Sequence, residues 1–211
     1  MIFWDVDTQV DFMHADGKLY VPGAETIIPN LKRLTDYAHD HGIRIVASAD
    51  DHVSGHRELS DQPDFRATFP LHCMRGTPGQ EKIGETALRD AMVIEPEAQD
   101  AARLSKQLAA HPGDVLLHKH WFDVFTNQNT DTMIGALKPR TVVLYGVATD
   151  VCNKYALEGL MARHPELRLF AVQDAMKAID PGAQDHLLKQ WGEQGVRVVN
   201  TDEITEDGIP A

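Results

Sequence analysis

Short apolar runs rich in β-branched residues alternate along this chain with stretches of helical period, and that alternation constrains the fold more than any other feature. The runs are Met1 to Val6, Ile43 to Ser48, Met92 to Ile94, Val115 to His118, Thr141 to Tyr145, Leu167 to Val172 and Val196 to Val199. Several are apolar without a break, as strands are when helices cover both faces of their sheet. Between them, Ile27, Leu31, Leu34 and Ala38 share one helical stripe that His41-Gly42 can end. Asp180-Pro181 reads as an N-cap followed by a first-turn proline, with Leu187, Leu188 and Trp191 as the buried face and Gly195 as the stop. Ala98 to Ala110 and Asp131 to Leu137 are further predicted helices. The pattern predicts an α/β protein: a parallel sheet with a helical layer on each side.

A chain of 211 residues suits one domain, expected to span residues 1–211, with one hydrophobic core. Lys plus Arg number 20 against 32 Asp plus Glu, and the resulting charge of -12 opposes nucleic acid or an anionic membrane as partner. Thr141 to Ala148 is the longest apolar stretch, far short of the roughly 20 residues of a membrane span. The N-terminal Met1-Ile2-Phe3-Trp4-Asp5 has no signal-peptide character, and only Cys73 and Cys152 are present, so a reducing cytoplasm is expected. The segment Asp51 to Gly84, rich in Pro, Gly, His and charge, is too long for a passive connection and reads as a functional loop. The tail after Asp202 reads as an acidic surface end.

Ligands of parallel α/β sheets bind beyond the carboxyl ends of the strands. That rule selects Asp7, Gln9 and Asp11 after the first strand, Asp50, Asp51 and His52 after the second, Lys119 after the fourth, and Thr149, Asp150 and Cys152 after the fifth. Cys152 follows a buried strand and a tight turn into a helix. There, free N–H groups and the helix dipole stabilise a thiolate, although most free cysteines are simply small buried apolar residues. Asp7 is either a local cap or an acid/base for that thiol. Lys119 precedes Trp121 and Phe122 and either pairs in the interior or snorkels to the surface.

The segments Asp7-Thr8-Gln9-Val10-Asp11-Phe12, Lys119 after a strand, and Gly146-Val147-Ala148-Thr149-Asp150-Val151-Cys152 resemble the isochorismatase-like cysteine hydrolases. The resemblance implies a three-layer α/β/α fold with a six-stranded parallel sheet and an Asp-Lys-Cys triad at Asp7, Lys119 and Cys152. It also implies a cis Val147–Ala148 peptide that turns the amides of Ala148 and Cys152 into an oxyanion hole.

Asp50 and His52 share a face of an extended segment, and His72 adds a second imidazole, a donor set that zinc, iron or manganese accepts. Phe69-Pro70-Leu71-His72-Cys73 and Gly76-Thr77-Pro78-Gly79 resemble the nicotinamidase/pyrazinamidase branch of the family. That resemblance implies a divalent metal, zinc foremost with iron or manganese as alternatives, held by Asp50, His52 and His72. The spacing leaves His56, Glu58 or water as the fourth ligand. Cys73 reads as packing, and His118 and His120 as structural or surface residues pointing away from Lys119.

The function implied is hydrolysis of a small-molecule amide, nicotinamide foremost, through a Cys152 thioester, with Phe12, Phe69, Trp121 and Phe122 as walls for a flat ring. Alternatives are a related amidase acting on ureido, carbamoyl, biuret or maleamate substrates, or a non-catalytic metal-binding member. The family resemblance also implies a homo-oligomer.

Overall fold

All seven apolar runs are strands. The computed structural model describes residues 1–206 and 208. In it β1 (Ile2–Val6), β2 (Arg44–Asp50), β3 (Met92–Ile94), β4 (Val115–Lys119), β5 (Thr141–Val147), β6 (Arg168–Lys177) and β7 (Arg197–Val199) form one sheet in the order β3-β4-β2-β1-β5-β6-β7. Every neighbouring pair is parallel. The six-stranded expectation is therefore corrected to seven strands among the described residues. The sheet ends at both edges in a three-residue strand that pairs on one side only, Met92 to Ile94 with β4 and Arg197 to Val199 with β6.

Side chains alternate across a strand, so each face of the sheet collects its own core. One face packs Ile2, Trp4, Val6, Leu117 and Leu144 under α3 (Ala101–Ala110), α4 (Thr130–Leu137), α5 (Cys152–Arg163) and α6 (Pro181–Glu193). The other packs Phe3, Ile45, Val143, Tyr145 and Phe170 under α1 (Val10–Met13), α2 (Ile28–Asp40) and α7 (Thr201–Thr205). The result is a helix/sheet/helix sandwich.

Local chemistry sets the helix ends. Asp100 accepts from the Arg103 amide, so α3 starts three residues later than the apolar pattern predicts. Asp180 caps α6 with the proline in the first turn, as expected. The tail reading is corrected: Thr201–Thr205 is a helix with a capping box from Asn200 and Glu203, and Ile204 is buried in the core. Asp207 in that tail lies outside the described residues.

The segment after β2 has no strand and only short 3₁₀ turns at Pro78–Gln80 and Gly84–Thr86, yet it is firmly tied down. Lys82 Nζ is 2.8 Å from Asp5 Oδ2 and donates to Thr8 Oγ1 at 2.7 Å. Asp11 accepts from the Cys73 amide at 2.7 Å. Gly79 passes so close that a Cβ there would meet the Asp11 carboxylate at 2.3 Å. The loop thus lies over the carboxyl ends of β1 and β2.

Candidate active site

Four adjacent strands, β4, β2, β1 and β5, end side by side, and each delivers one functional side chain to the same place. β4 alternates buried and half-buried positions, which puts Lys119 on the inward side with Val115 and Leu117. Its register partner on β2 is Asp50. Lys119 forms an ion pair with Asp50 Oδ1, stands 2.9 Å from Asp7 Oδ2 and donates to Cys152 Sγ at 3.6 Å. Asp7 follows β1 in the left-handed region at φ 49, and its other oxygen accepts from Ser48 Oγ at 2.7 Å. The ammonium is fully buried, so its cost is offset by these two carboxylates.

Cys152 opens α5. The chain reaches it through Gly146, at φ 118, where a Cβ would meet the Val6 carbonyl oxygen at 2.1 Å. The Val147–Ala148 peptide is cis. The amides of Val151 and Asn153 both donate to the Ala148 carbonyl, at 3.1 and 3.0 Å, and Asn153 Nδ2 donates to Gly146 O at 2.9 Å. Those bonds fix the turn without using the amides of Ala148 and Cys152.

The electrostatics correct one expectation. Burial pushes the Cys152 thiol well above its ordinary 9.0, and the carboxylates of Asp7 and Asp50 reinforce the rise against Lys119. Burial and the neighbouring carboxylates thus oppose the thiolate that the helix end favours. Burial likewise raises Asp7 above the ordinary carboxylate value, with Lys119 opposing. Burial opposes the charge on Lys119, but Asp50 and Asp7 outweigh it and hold the ammonium protonated.

Beside this cluster, Asp50, His52, Glu58 and His72 are all buried and offer ligand atoms lying within 4.8 Å of one another. His72 Nε2 is 3.6 Å from both Asp50 Oδ2 and Glu58 Oε1; His52 Nε2 is 3.9 Å from Asp50 Oδ2 and from Glu58 Oε2. His52 Nε2, His72 Nε2 and Glu58 Oε2 have no hydrogen-bond partner. His72 Nδ1 donates to the Pro70 carbonyl at 2.7 Å, which turns Nε2 toward the group. Burial lowers His52 to about 4, with Asp50 opposing. For His72, burial is outweighed by the Asp50 and Glu58 carboxylates, which raise it to about 10. Two imidazoles and two carboxylates with orphaned inward atoms fit a divalent ion. Glu58, not His56, completes the group; His56 instead approaches the outer nitrogen of His52, Nδ1 to Nδ1, at 3.2 Å.

A small pocket opens onto both clusters. Phe12, Leu19, Val21, Phe69, Val147, Ala148, Val151 and Ile179 wall it, and its polar lining is Asp50, Glu58 and Cys152.

The isochorismatase domain model matches residues 3–203. The chain belongs to the isochorismatase family. Among curated relatives it is 25% identical over 164 residues to the ureidoacrylate amidohydrolase RutB of Rhizobium rhizogenes, covering 76% of this chain and 61% of that protein. The chain thus matches about three fifths of that relative's length. It is 27% identical over 190 residues to the nicotinamidase of Escherichia coli, covering 85% and 84%. Its fold superposes with a TM-score of 0.70 on the zinc complex of Pyrococcus horikoshii pyrazinamidase, at 22% identity and 94% and 98% coverage. With N-carbamoylsarcosine amidase of Thermoplasma acidophilum the TM-score is 0.68, at 26% identity and 96% and 97% coverage.

Against this family background, two of the four expected aromatic walls are misplaced. Phe12 and Phe69 line the cavity, but Trp121 and Phe122 do not. After β4 the chain turns outward, so Trp121 lies under the Arg57 guanidinium, 3.9 Å from its carbon to the ring centre, and Phe122 backs Phe69 at 6.1 Å. Leu19 and Val21 from one segment and Ile179 from another take their place and carry no local signal in the sequence. Ser48, which donates to Asp7, joins the site as well, and strand alternation puts it on the side of Asp50. Cys73 is fully buried and belongs to the core.

Proposed function

We propose that this chain is a cysteine amidohydrolase of one domain acting on a small neutral aromatic amide, nicotinamide foremost. The observation that carries the reading is one pocket lined at once by Cys152, Ala148, Asp50 and Glu58. Its other walls are apolar, and neither Lys nor Arg is among its lining residues. Phe12 and Phe69 among those walls suit the faces of a neutral flat ring.

In the proposed reaction Asp7 takes the thiol proton, and Lys119 stabilises the sulfur's developing negative charge. Sulfur attacks the carboxamide carbon, and the amides of Ala148 and Cys152 hold the oxyanion, each donor contributing about 3 kcal/mol. The C–N bond breaks as Asp7 returns its proton to nitrogen, releasing ammonia and leaving a thioester. Asp7 then takes a proton from water, hydroxide oxygen adds to the thioester carbon, and the C–S bond breaks as Asp7 returns that proton to sulfur, giving the acid and restoring the Cys152 thiol. A divalent ion, zinc foremost, held by Asp50, His52, Glu58 and His72 would supply a Lewis-acidic seat for a ring nitrogen. Burial keeps His52 neutral, which leaves its nitrogen lone pair available for that ion.

Ammonia release tests the reading. Wild type is expected to hydrolyse nicotinamide, to lose activity with chelator and regain it with zinc, and to lose it altogether in Cys152→Ala. Faster release from ureidoacrylate than from nicotinamide, or native activity in Cys152→Ala, would overturn it.

A further inference from the structure

Pairing between β1 and β2 ends with the Asp7 amide on the Ser48 carbonyl at 3.2 Å. Two residues further on, the side chain of Gln9 does what a neighbouring strand would do. It is fully buried. Its Oε1 accepts from the Asp50 amide at 2.7 Å, and its Nε2 donates to the Asp50 carbonyl at 2.8 Å and to the Gln80 carbonyl at 2.7 Å. A carboxamide has both donors and acceptors, so it can grip both backbone groups of a single residue.

The residue gripped is the one that two clusters share. Asp50 directs Oδ1 to Lys119, while its Oδ2 lies 3.6 Å from His72 Nε2 and 3.9 Å from His52 Nε2. A small rotation of the Asp50 backbone would swing the carboxylate off one partner or the other.

We propose that Gln9 is a positioning residue that fixes the Asp50 backbone, so that one carboxylate serves Lys119 and the metal-ligand group together. This rests on the reading of Asp50, His52, Glu58 and His72 as a metal site. Outer residues that orient metal ligands typically contribute 10- to 100-fold in affinity.

The test uses the full chain and two readouts. Gln9→Met keeps the bulk and removes all three hydrogen bonds; Gln9→Glu keeps an acceptor for the Asp50 amide and removes both donations. Lys82→Met serves as control, because Lys82 ties the same loop to Asp5 and Thr8 without touching Asp50. Zinc affinity, measured by competition with a chromophoric chelator, is expected to fall at least tenfold in Gln9→Met, less in Gln9→Glu, and less than twofold in Lys82→Met. In metal-free protein, hydrogen exchange of the Asp50 amide is expected to accelerate at least tenfold in Gln9→Met and to stay near wild type in Gln9→Glu. Wild-type zinc affinity and unchanged Asp50 exchange in Gln9→Met would overturn the proposal, as would equal weakening of zinc in Lys82→Met. Should Gln9→Met fail to fold, undiminished zinc affinity in Gln9→Glu would do the same. If wild type itself binds no zinc, the metal reading fails, and Asp50 exchange alone decides the role of Gln9.

Discussion

The ammonium nitrogen of Lys119 lies 3.6 Å from the sulfur of Cys152. Asp7 and Asp50 flank the same ammonium, so its charge is already shared when it faces the sulfur. A cation so compensated does not hold a resting thiolate, yet it can stabilise one that forms as Asp7 becomes protonated.

Removing that ammonium strands two buried carboxylates. Lys119→Met is expected to cost about 3–5 kcal/mol in urea unfolding at pH 7, the usual penalty for breaking a buried ion cluster on one side. Adding Asp7→Asn to the same chain should return part of the loss. A cost below about 1 kcal/mol would contradict a water-free cluster.

Asp7→Asn separates two effects of one carboxylate. The charge of Asp7 raises the Cys152 thiol, after burial the main influence in that direction, so neutralising it lowers the thiol's pKa. The midpoint of iodoacetamide alkylation against pH should therefore move down. Ammonia release should meanwhile fall by at least about 100-fold, since general acid–base catalysis contributes factors of that order. Alkylation moving to higher pH would refute the electrostatic assignment.

Zinc should stabilise the folded chain through its buried donors. At zinc a hundredfold above its dissociation constant, linkage adds about 2.7 kcal/mol. Differential scanning calorimetry is expected to show that shift in wild type and little of it in His72→Ala. An equal shift in both proteins would place the zinc elsewhere.

Gly146→Ala should be damaging although it adds one methyl group. The new Cβ would lie 2.1 Å from the Val6 carbonyl oxygen, and the backbone sits at φ 118. Backbone strain alone costs about 1–3 kcal/mol, and the clash with β1 adds to it. Unfolding within 0.5 kcal/mol of wild type, a margin about that of a neutral surface change, would show that the turn can relax.

Much of this molecule is written locally. The seven strand runs, the Asp180-Pro181 helix start and the placement of Asp7, Asp50, Lys119 and Cys152 at strand ends follow from period, capping and chain order, which nearest neighbours impose. The six-strand count came from resemblance alone, whereas the seven apolar runs themselves match the seven strands of the sheet.

What the sequence determined is which groups arrive at one edge of the sheet, because alternation and the rule of strand ends need only local information. Tertiary structure decided how they act. It placed Glu58 rather than His56 beside Asp50, His52 and His72, turned Trp121 away from the pocket and put Leu19, Val21 and Ile179 into its walls. It also buried Cys152 beside Asp7 and Asp50, which push its thiol up. Each of these depends on burial and on charges contributed by distant segments, and the energy of a buried charge is fixed only when the whole shell around it has closed.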